Sequence, residues 1–297
     1  MKIRKLLFFS LLACCTSFAQ EYEWAVIDVS VNYMREKPSY TAELGTQALM
    51  GTMVRVLDKE GYWIRISTPD GYEAWTNEMG LAFKTAEEKS EYAAAEKWIC
   101  TADYSAVREL PSSASQRVSD LVMGDLLLKC GEPQCGWVPV KLPGGRKGWV
   151  ESAELQDYST WATSRDGSPD SITALACSFT GIPYLWGGSS VKGFDCSGLV
   201  QFVFYMNGIL LPRNASQQAA MGEPVQPHLS TMKKGDLIFY GNGRASHVAI
   251  YLGDGRIVHS SQIVRISSLK RGDPDYYDRD ILCVRRINRK NCVYLPN

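Results

Sequence analysis

The sequence predicts an α+β protein in which two small β-barrels precede a domain of helices packed on an antiparallel sheet. Three observations predict this class. The first half of the chain contains an internal repeat, each copy of the repeat consists of short apolar segments between turn residues, and the last part places helices before a run of strands. A length of 297 residues also suits two or three domains.

The composition is that of an ordinary folded protein, with 45% hydrophobic and 22% charged residues. Lys and Arg together number 32, and so do Asp and Glu. Because these charges balance, nothing favours binding to nucleic acid or to an anionic membrane surface. No Gly-rich phosphate loop is present. We expect no nucleic-acid partner and a monomeric protein.

The N-terminus is typical of a secretory signal peptide. A basic start at residues 2–5 precedes an apolar run, and Ser17-Phe18-Ala19 fits a small-x-small cleavage site. The apolar run is too short for a transmembrane helix, and no later segment is long and apolar enough. We expect a signal peptide over residues 1–19 and a periplasmic or secreted protein. Because Leu11-Leu12-Ala13-Cys14 resembles a lipidation site, lipoprotein anchoring stays an alternative.

The cysteines fit an exported protein with one free thiol. Of nine cysteines, two lie in the predicted signal peptide, which leaves seven. An odd number in an oxidising compartment suggests one thiol that is kept free. Cys130 and Cys135, and likewise Cys283 and Cys292, are close enough in sequence to pair, and buried free thiols are the alternative. Cys130 and Cys135 lack the spacing and the nearby histidines of a zinc site, and we expect no metal.

The internal repeat defines the first two domains. Its landmarks recur 73 or 74 residues later: Arg35-Glu36-Lys37-Pro38 and Arg108-Glu109-Leu110-Pro111, Gly51 and Gly124, Trp63 and Trp137, Pro69 and Pro143, and Trp75 and Trp149. Short apolar segments between glycine and proline turns predict a small barrel in each copy. We assign the barrels to residues 24–84 and 97–155, with a helical linker rich in Glu, Lys and Ala over residues 84–98.

The last domain, residues 165–297, has a different pattern. The sequence predicts a helix over residues 171–179, with Asp170 or Ser171 as its N-cap, and a second helix over residues 196–207. Strands are predicted next, over residues 236–240, 247–252 and 256–260.

Cys196 is the candidate nucleophile. Asp195 is a good N-cap residue, so Cys196 lies in the first turn of the second helix. The partial positive charge and free N–H groups of a helix N-terminus favour a thiolate and lower the pKa of a cysteine.

His247 is the candidate base, and His259 the candidate residue that orients it. Both lie on one predicted hairpin around Gly253-Asp254-Gly255. A three-residue loop pairs Ala249 with His259 and puts both histidines on one face, roughly 5–8 Å apart, whereas a two-residue turn puts them on opposite faces. We predict the three-residue loop. The remaining histidine, His228, lies in a Pro-containing stretch and is expected in a surface loop.

Four ordered motifs resemble the NlpC-type family of papain-like peptidases, which hydrolyse peptidoglycan. The motifs are Pro183-Tyr184-Leu185-Trp186-Gly187-Gly188, Phe194-Asp195-Cys196-Ser197-Gly198, Lys234-Gly235-Asp236-Leu237-Ile238-Phe239-Tyr240 and Ser246-His247-Val248-Ala249-Ile250-Tyr251. The resemblance implies a papain-like fold over about residues 165–290 with no cofactor. It implies Cys196, His247 and His259 as the catalytic set, with the Tyr184 hydroxyl directed at the reaction centre.

The resemblance also implies a substrate site. Trp186, Asp195 and Ser197 match positions that line it. Where the family often reads Arg-Asp-Ser, this chain has Arg213-Asn214-Ala215, so Asn214 stands where a carboxylate contact would be expected.

The repeat resembles the bacterial SH3-like domain. Two such domains before this catalytic domain are similar to the subgroup that cleaves γ-D-glutamyl-L-diamino acid bonds in peptides with a free N-terminal L-Ala. Glu36 and Tyr72 fall where that subgroup recognises the amino-terminus. The alternatives are a muramoyl-alanine amidase or acyltransferase on the same scaffold, and an inactive cell-wall-binding protein. The choice between L-lysine and diaminopimelate stays open.

Overall fold

The computed structural model describes residues 22–288 and the backbone of Val293 and Tyr294. The predicted signal peptide and Cys292 lie outside these residues. None of the helices in the described residues has the length and hydropathy needed to cross a lipid bilayer.

The first repeat folds as one antiparallel sheet of seven strands. They are β1 (Trp24–Ile27), β2 (Val31–Arg35), β3 (Leu44–Leu49), β4 (Met53–Glu60), β5 (Trp63–Ser67), β6 (Glu73–Asn77) and β7 (Leu81–Lys84). Their order in the sheet is β3-β2-β6-β5-β4-β1-β7. Alternate residues of these strands point inward and form an apolar core that includes Met34, Ile64 and Ile66.

The second repeat has the same topology. Its strands are β8 (Lys97–Cys100), β9 (Tyr104–Arg108), β10 (Arg117–Val122), β11 (Leu126–Lys129), β12 (Trp137–Lys141), β13 (Lys147–Glu151) and β14 (Leu155–Asp157). The sheet order, β10-β9-β13-β12-β11-β8-β14, is that of the first sheet with each number raised by seven. The offset grows from 73 to 74 because the connection between β11 and β12 is longer than that between β4 and β5.

A helix joins the two repeats. α1 (Ala86–Ala94) begins at Thr85, whose side chain accepts a hydrogen bond from the Glu88 N–H while Glu88 bonds back to the Thr85 N–H. This capping box explains where the helix begins. The helix is shorter than the predicted linker because residues 97–100 already form β8.

The last part of the chain combines helices with a six-stranded antiparallel sheet. Its elements are α2 (Tyr158–Thr163), α3 (Pro169–Ser178), β15 (Ser189–Ser190), β16 (Gly193–Phe194), α4 (Cys196–Met206), β17 (Ile209–Leu210), α5 (Ala215–Gln218), β18 (Glu223–Val225), β19 (Leu237–Tyr240), β20 (His247–Gly253), β21 (Arg256–Ser261), β22 (Ile263–Ser268), β23 (Ile281–Arg286) and β24 (Val293–Tyr294). The large sheet has the order β18-β23-β19-β20-β21-β22. The predicted α+β fold is confirmed.

The start of α3 differs from the prediction. The N-cap is Ser168, whose hydroxyl accepts a hydrogen bond from the Ser171 N–H at 3.1 Å. Pro169 occupies the first helical position, where its missing N–H costs nothing. The helix therefore begins two residues earlier than residue 171.

Helix α4 carries the apolar side chains that join the helices to the sheet. Phe202 packs against Phe179 and Phe194, with ring centroids 5.6 and 5.4 Å away. Leu199 and Val203 are fully buried in the same core. Because this face of the helix is fixed against β20 and β21, its first residue, Cys196, is held beside the start of β20, next to the Val248 N–H.

Candidate active site

The first turn of α4 is built by Asp195. Its Oδ1 accepts a hydrogen bond from the Gly198 N–H at 2.7 Å, as predicted for an N-cap. Gly198 is required by close packing, because a Cβ at this position would lie 2.0 Å from the carbonyl oxygen of Gly188. The glycine after Cys196 and Ser197 therefore lets the helix approach the Trp186-Gly187-Gly188 turn.

The Cys196 thiol is buried, with 8% of the residue exposed. Burial, together with the neighbouring Asp195 carboxylate, raises the pKa of the thiol to about 11. The N–H groups of Val248 and Ser197 act in the opposite direction without outweighing these effects. The expectation of a lowered pKa for this thiol is wrong, because that expectation included the helix N-terminus but not the desolvation imposed by packing.

The two histidines form a hydrogen-bonded pair. His247 Nε2 lies 2.8 Å from His259 Nδ1, and His259 Nε2 lies 3.1 Å from the hydroxyl of Ser267. If His247 carries its proton on Nε2, it donates to His259 Nδ1, and His259 then donates from Nε2 to Ser267. This arrangement leaves His247 Nδ1 as an acceptor. Nothing in the sequence motifs pointed to Ser267.

The hairpin that carries the histidines reaches its register by a different route from the predicted one. Gly253 pairs with Arg256, so the turn has two residues, Asp254 and Gly255, with φ angles of 51° and 78°. A bulge between Tyr251 and Gly253 then shifts the register, and Ile250 pairs with Val258. Continuing that register places His259 opposite Ala249. The predicted loop length is wrong, but the bulge restores the shared face.

Aromatic rings enclose the histidine pair. The Tyr277 ring centroid lies 5.5 Å from that of His247 and 4.5 Å from that of His259. Burial, followed by repulsion from His259 and Arg279, lowers the pKa of His247 to about 3. Burial and the nearby Arg265 lower the pKa of His259 to about 4. Both imidazoles are therefore neutral near pH 7.

A cavity of about 540 Å³ opens beside Cys196. It is lined by both the first repeat and the last part of the chain: Glu36, Glu43, Leu44, Gly45, Tyr72, Tyr184, Trp186, Asp195, Cys196, Ser197, Asn214, Ala215, Ser216, Arg244, Ala245 and Ser246. Every site residue predicted from the sequence lines this cavity, apart from His247 and His259. His247 is next in the chain to Ser246, which does line the cavity. Burial and the nearby Cys196 raise the pKa of Tyr184 to about 12, so its hydroxyl is a hydrogen-bond donor.

Glu36 and Tyr72 reach the cavity from the first repeat. The Tyr72 hydroxyl donates a hydrogen bond to Glu36 Oε1 at 2.6 Å. Because Glu36 follows β2 and Tyr72 precedes β6, two neighbouring strands hold the pair at one end of the sheet. A carboxylate thus faces the same cavity as the thiol.

Arg213 ties the two parts of the site together. It is 2% exposed, and its guanidinium donates to both carboxylate oxygens of Asp195 and to the Ser197 hydroxyl. Its Nε donates to Thr46 Oγ1 in β3 at 2.9 Å. The sequence motifs single out Asn214 in this segment but give Arg213 no role. The Asn214 side chain lines the cavity, and Asn214 caps α5.

The first repeat is fixed against the site by further contacts of β3. Gln47 accepts hydrogen bonds from the Ser189 N–H and from the Ser190 hydroxyl, each at 2.8 Å. Gly187 has a φ of 74°, and a Cβ there would lie 2.4 Å from the Leu44 carbonyl oxygen. These contacts set the distance between Glu36 and Cys196 across the cavity.

The remaining sequence predictions concern the cysteines and His228. All six cysteines within residues 22–288 are free thiols, so Cys196 is not the one free thiol, and Cys130 and Cys135 are unpaired. His228 is exposed in a loop, as expected.

Two family models match the chain. Residues 181–286 match the NlpC/P60 family, and residues 34–81 match the bacterial dipeptidyl-peptidase SH3 domain. A γ-D-glutamyl-L-lysine dipeptidyl-peptidase of Bacillus cereus is 30% identical over 252 residues, which cover 80% of this chain and 73% of the relative. The chain belongs to the NlpC/P60 family. It is a cysteine peptidase of that family, and its peptidase domain follows an SH3-like domain of the dipeptidyl-peptidase type.

Further comparisons agree with this assignment to the NlpC/P60 peptidases. A γ-D-glutamyl-L-lysine dipeptidyl-peptidase of Bacillus subtilis is 28% identical, covering 84% of this chain and 86% of the relative. The crystal structure of an NlpC/P60 family protein from Bacillus cereus superimposes with a TM-score of 0.76 at 26% identity, covering 92% of this chain and all of that one. The family predicted from four motifs is confirmed.

Proposed function

We propose that this NlpC/P60 peptidase hydrolyses the γ-D-glutamyl-L-diamino acid bond of cell-wall peptides with a free N-terminal L-Ala, releasing L-Ala-γ-D-Glu. The observation that carries the proposal is the cavity shared by Cys196 and the Glu36–Tyr72 pair. A carboxylate held by a tyrosine hydroxyl is a suitable partner for an ammonium group. The names of the Bacillus relatives support the same substrate class.

In the proposed mechanism, the reaction begins with a neutral thiol. His247 Nδ1 takes the proton from Cys196 as the sulfur attacks the γ-glutamyl carbonyl carbon and forms a C–S bond. The Cys196 N–H, in the first turn of α4, and the Tyr184 hydroxyl serve as donors to the developing oxyanion. The raised pKa of Tyr184 supports its role as a donor.

The acyl-enzyme then forms and decays. The C–N bond breaks as the His247 imidazolium gives its proton to the leaving amine of the diamino acid. His247 next takes a proton from water as the water attacks the thioester carbonyl carbon. The C–S bond then breaks, the dipeptide leaves as its carboxylic acid, and the His247 imidazolium returns the proton to the sulfur of Cys196. The hydrogen bond from His247 Nε2 to His259 keeps the imidazole in the tautomer that both steps need.

Recognition of the amino-terminus explains why short peptides are the proposed substrates. Glu36 lies in a cavity wall that the first repeat contributes, and that repeat is fixed by the Arg213–Thr46 and Gln47–Ser189 contacts. An intact glycan-linked peptide has no free ammonium at L-Ala, because that nitrogen is acylated. With the predicted signal peptide at residues 1–19, the proposal also includes export to the compartment that contains the cell wall.

The test compares L-Ala-γ-D-Glu-L-Lys with its N-acetylated form. We expect acetylation to lower kcat/KM about 10- to 100-fold, the range for losing a charge-assisted hydrogen bond. Glu36→Gln should lower kcat/KM for the free peptide and leave the acetylated peptide unaffected. Glu109→Gln, at the matching position of the second repeat, is the control. Equal cleavage of both peptides by the wild type contradicts amino-terminal recognition.

Two further measurements separate this reaction from its alternatives. Product masses distinguish a cut after γ-D-Glu from a cut before L-Ala, which an amidase would make. Cys196→Ala should abolish cleavage while the peptide still binds, and cleavage that survives this change would contradict the peptidase mechanism.

A further inference from the structure

The charged side chains around the cavity come from two parts of the chain. Glu36 and Glu43 belong to the first repeat, whereas Arg244 belongs to the loop between β19 and β20. Among the described residues that line the cavity, Arg244 is the one Lys or Arg side chain. The buried Arg213 behind the wall is already bonded to Asp195, Ser197 and Thr46. Arg244 is therefore the cation that a ligand in this cavity meets.

The loop backbone holds Arg244 close to His247, three residues later in the chain. The Ser246 N–H donates to the Tyr240 carbonyl at 2.9 Å and closes the loop. Gly241 packs so tightly that a Cβ there would lie 2.0 Å from the Arg244 carbonyl oxygen. The backbone of Arg244 is therefore held in a fixed position relative to His247.

The guanidinium of Arg244 has capacity left for a ligand. Its contact with the Ser216 hydroxyl is long, at 3.4 Å. None of the ion pairs formed within residues 22–288 includes it. Arg244 is also exposed. A planar, permanently charged group with free N–H donors is suited to bidentate binding of a carboxylate.

We infer that Arg244 binds a carboxylate of the substrate and thereby contributes to specificity. The inference rests on the proposed function, which supplies the candidate carboxylates. A γ-linked glutamyl residue keeps its α-carboxylate free. The leaving diamino acid has an α-carboxylate when it is C-terminal, and diaminopimelate has one more. Each source offers Arg244 the same chemistry.

The experiment measures kcat/KM for wild type and Arg244→Gln on four peptides. The reference is L-Ala-γ-D-Glu-L-Lys. The others amidate the α-carboxyl of Glu, amidate the carboxyl of Lys, or replace Lys with meso-diaminopimelate. We expect Arg244→Gln to lose about tenfold on a peptide that presents the bound carboxylate, the loss expected for one charge-assisted pair. The wild type and the variant should be equal on the peptide that lacks that carboxylate.

The peptide that removes the difference identifies the source. Equality after amidation of Glu identifies the glutamyl α-carboxylate, and equality after amidation of Lys identifies the leaving-group α-carboxylate. A wild-type preference for diaminopimelate that Arg244→Gln removes identifies the additional carboxylate. Arg55→Gln, a change of an exposed arginine in β4 outside the cavity lining, is the matched charge control.

Two results overturn the inference in different ways. If Arg244→Gln matches the wild type on all four peptides while the wild type cuts after γ-D-Glu, Arg244 has no such role and the proposed function stands. If the wild type cuts no peptide after γ-D-Glu, the proposed function fails and the inference fails with it. Alkylation of Cys196 at the wild-type rate in Arg244→Gln would show that the site is intact, so a loss of activity can be assigned to Arg244.

Discussion

In the proposed mechanism, the Ser267 hydroxyl accepts a hydrogen bond from His259 Nε2 and so supports the tautomer in which His247 Nδ1 is an acceptor. In the structure it lies 3.1 Å from His259 Nε2, and both residues are 1% exposed. Removing the hydroxyl in Ser267→Ala leaves a buried N–H unpaired, at a cost of about 1–3 kcal/mol. His259 then avoids this cost by carrying its proton on Nδ1 instead. A proton on His259 Nδ1 would clash with one on His247 Nε2, because only one of these two nitrogens can be the donor of their hydrogen bond. His247 would in turn be driven to the tautomer that cannot accept from Cys196.

We therefore expect Ser267→Ala to lower kcat about tenfold, corresponding to roughly 1.4 kcal/mol, with KM unchanged because Ser267 does not line the cavity. Ser268→Ala is the matched control, since Ser268 is equally buried but bonds to Asp273 instead of a histidine. Steady-state kinetics would be repeated in a His259→Gln background, where Ser267→Ala should change kcat less than twofold. Additive effects in the two backgrounds, or an equal kcat loss in Ser268→Ala, would refute the tautomer argument.

The alkylation rate of Cys196 by iodoacetamide should keep rising above pH 9, because burial raises the pKa of the thiol to about 11; a plateau below pH 7 would instead indicate a thiolate–imidazolium pair. His247 and His259 have pKa values of about 3 and 4 in the folded protein, below the ordinary value of 6.5. Between pH 6.5 and these lower values, the unfolded chain therefore binds more protons than the folded protein. Their contribution to stability is complete above pH 6.5 and is lost on acidification, by up to about 1.4 kcal/mol per pH unit for each histidine. Urea unfolding at pH 7 and pH 5 checks this, and His259→Gln should weaken the pH dependence. Gly187→Ala should push the first repeat away from the cavity, because its Cβ would meet the Leu44 carbonyl oxygen. We expect a lower melting temperature and a smaller difference in kcat/KM between free and acetylated peptides, and an unchanged difference would contradict the docking argument.

Local sequence patterns predicted the parts of the site that depend on neighbouring residues. Asp195 and Cys196 were predicted from a capping preference that acts within one helical turn. The shared face of the histidines was also predicted, although a bulge supplies the register that was assigned to a longer loop. The bulge has no signature in the turn residues, because Asp254-Gly255 favours the same two-residue turn with or without it.

Contacts between distant segments have no comparable signal in the sequence. Thr46 and Arg213 are 167 positions apart, and Gln47 and Ser189 are 142 apart. Such pairs depend on how the first repeat docks, which no periodicity or spacing encodes. The prediction of a lowered pKa for the Cys196 thiol was wrong for the same reason. The helix N-terminus is a local feature, whereas the burial that raises the pKa comes from tertiary packing.

The two repeats share a topology but use the position of Tyr72 differently. The offset of 74 matches Tyr72 with Arg146. Tyr72 bonds to Glu36 beside the cavity, whereas Arg146 donates to the carbonyl oxygen of Asp28 in the first repeat at 3.0 Å. The Asp28 carboxylate also accepts from the Gly144 N–H at 2.6 Å. In the second repeat, the turn that contains Gly144 and Arg146 therefore contacts the first repeat. In the first repeat, the matching turn carries Tyr72, which faces the cavity. Divergence at this one position accounts for why the first copy alone supplies the side-chain pair proposed to bind the ammonium.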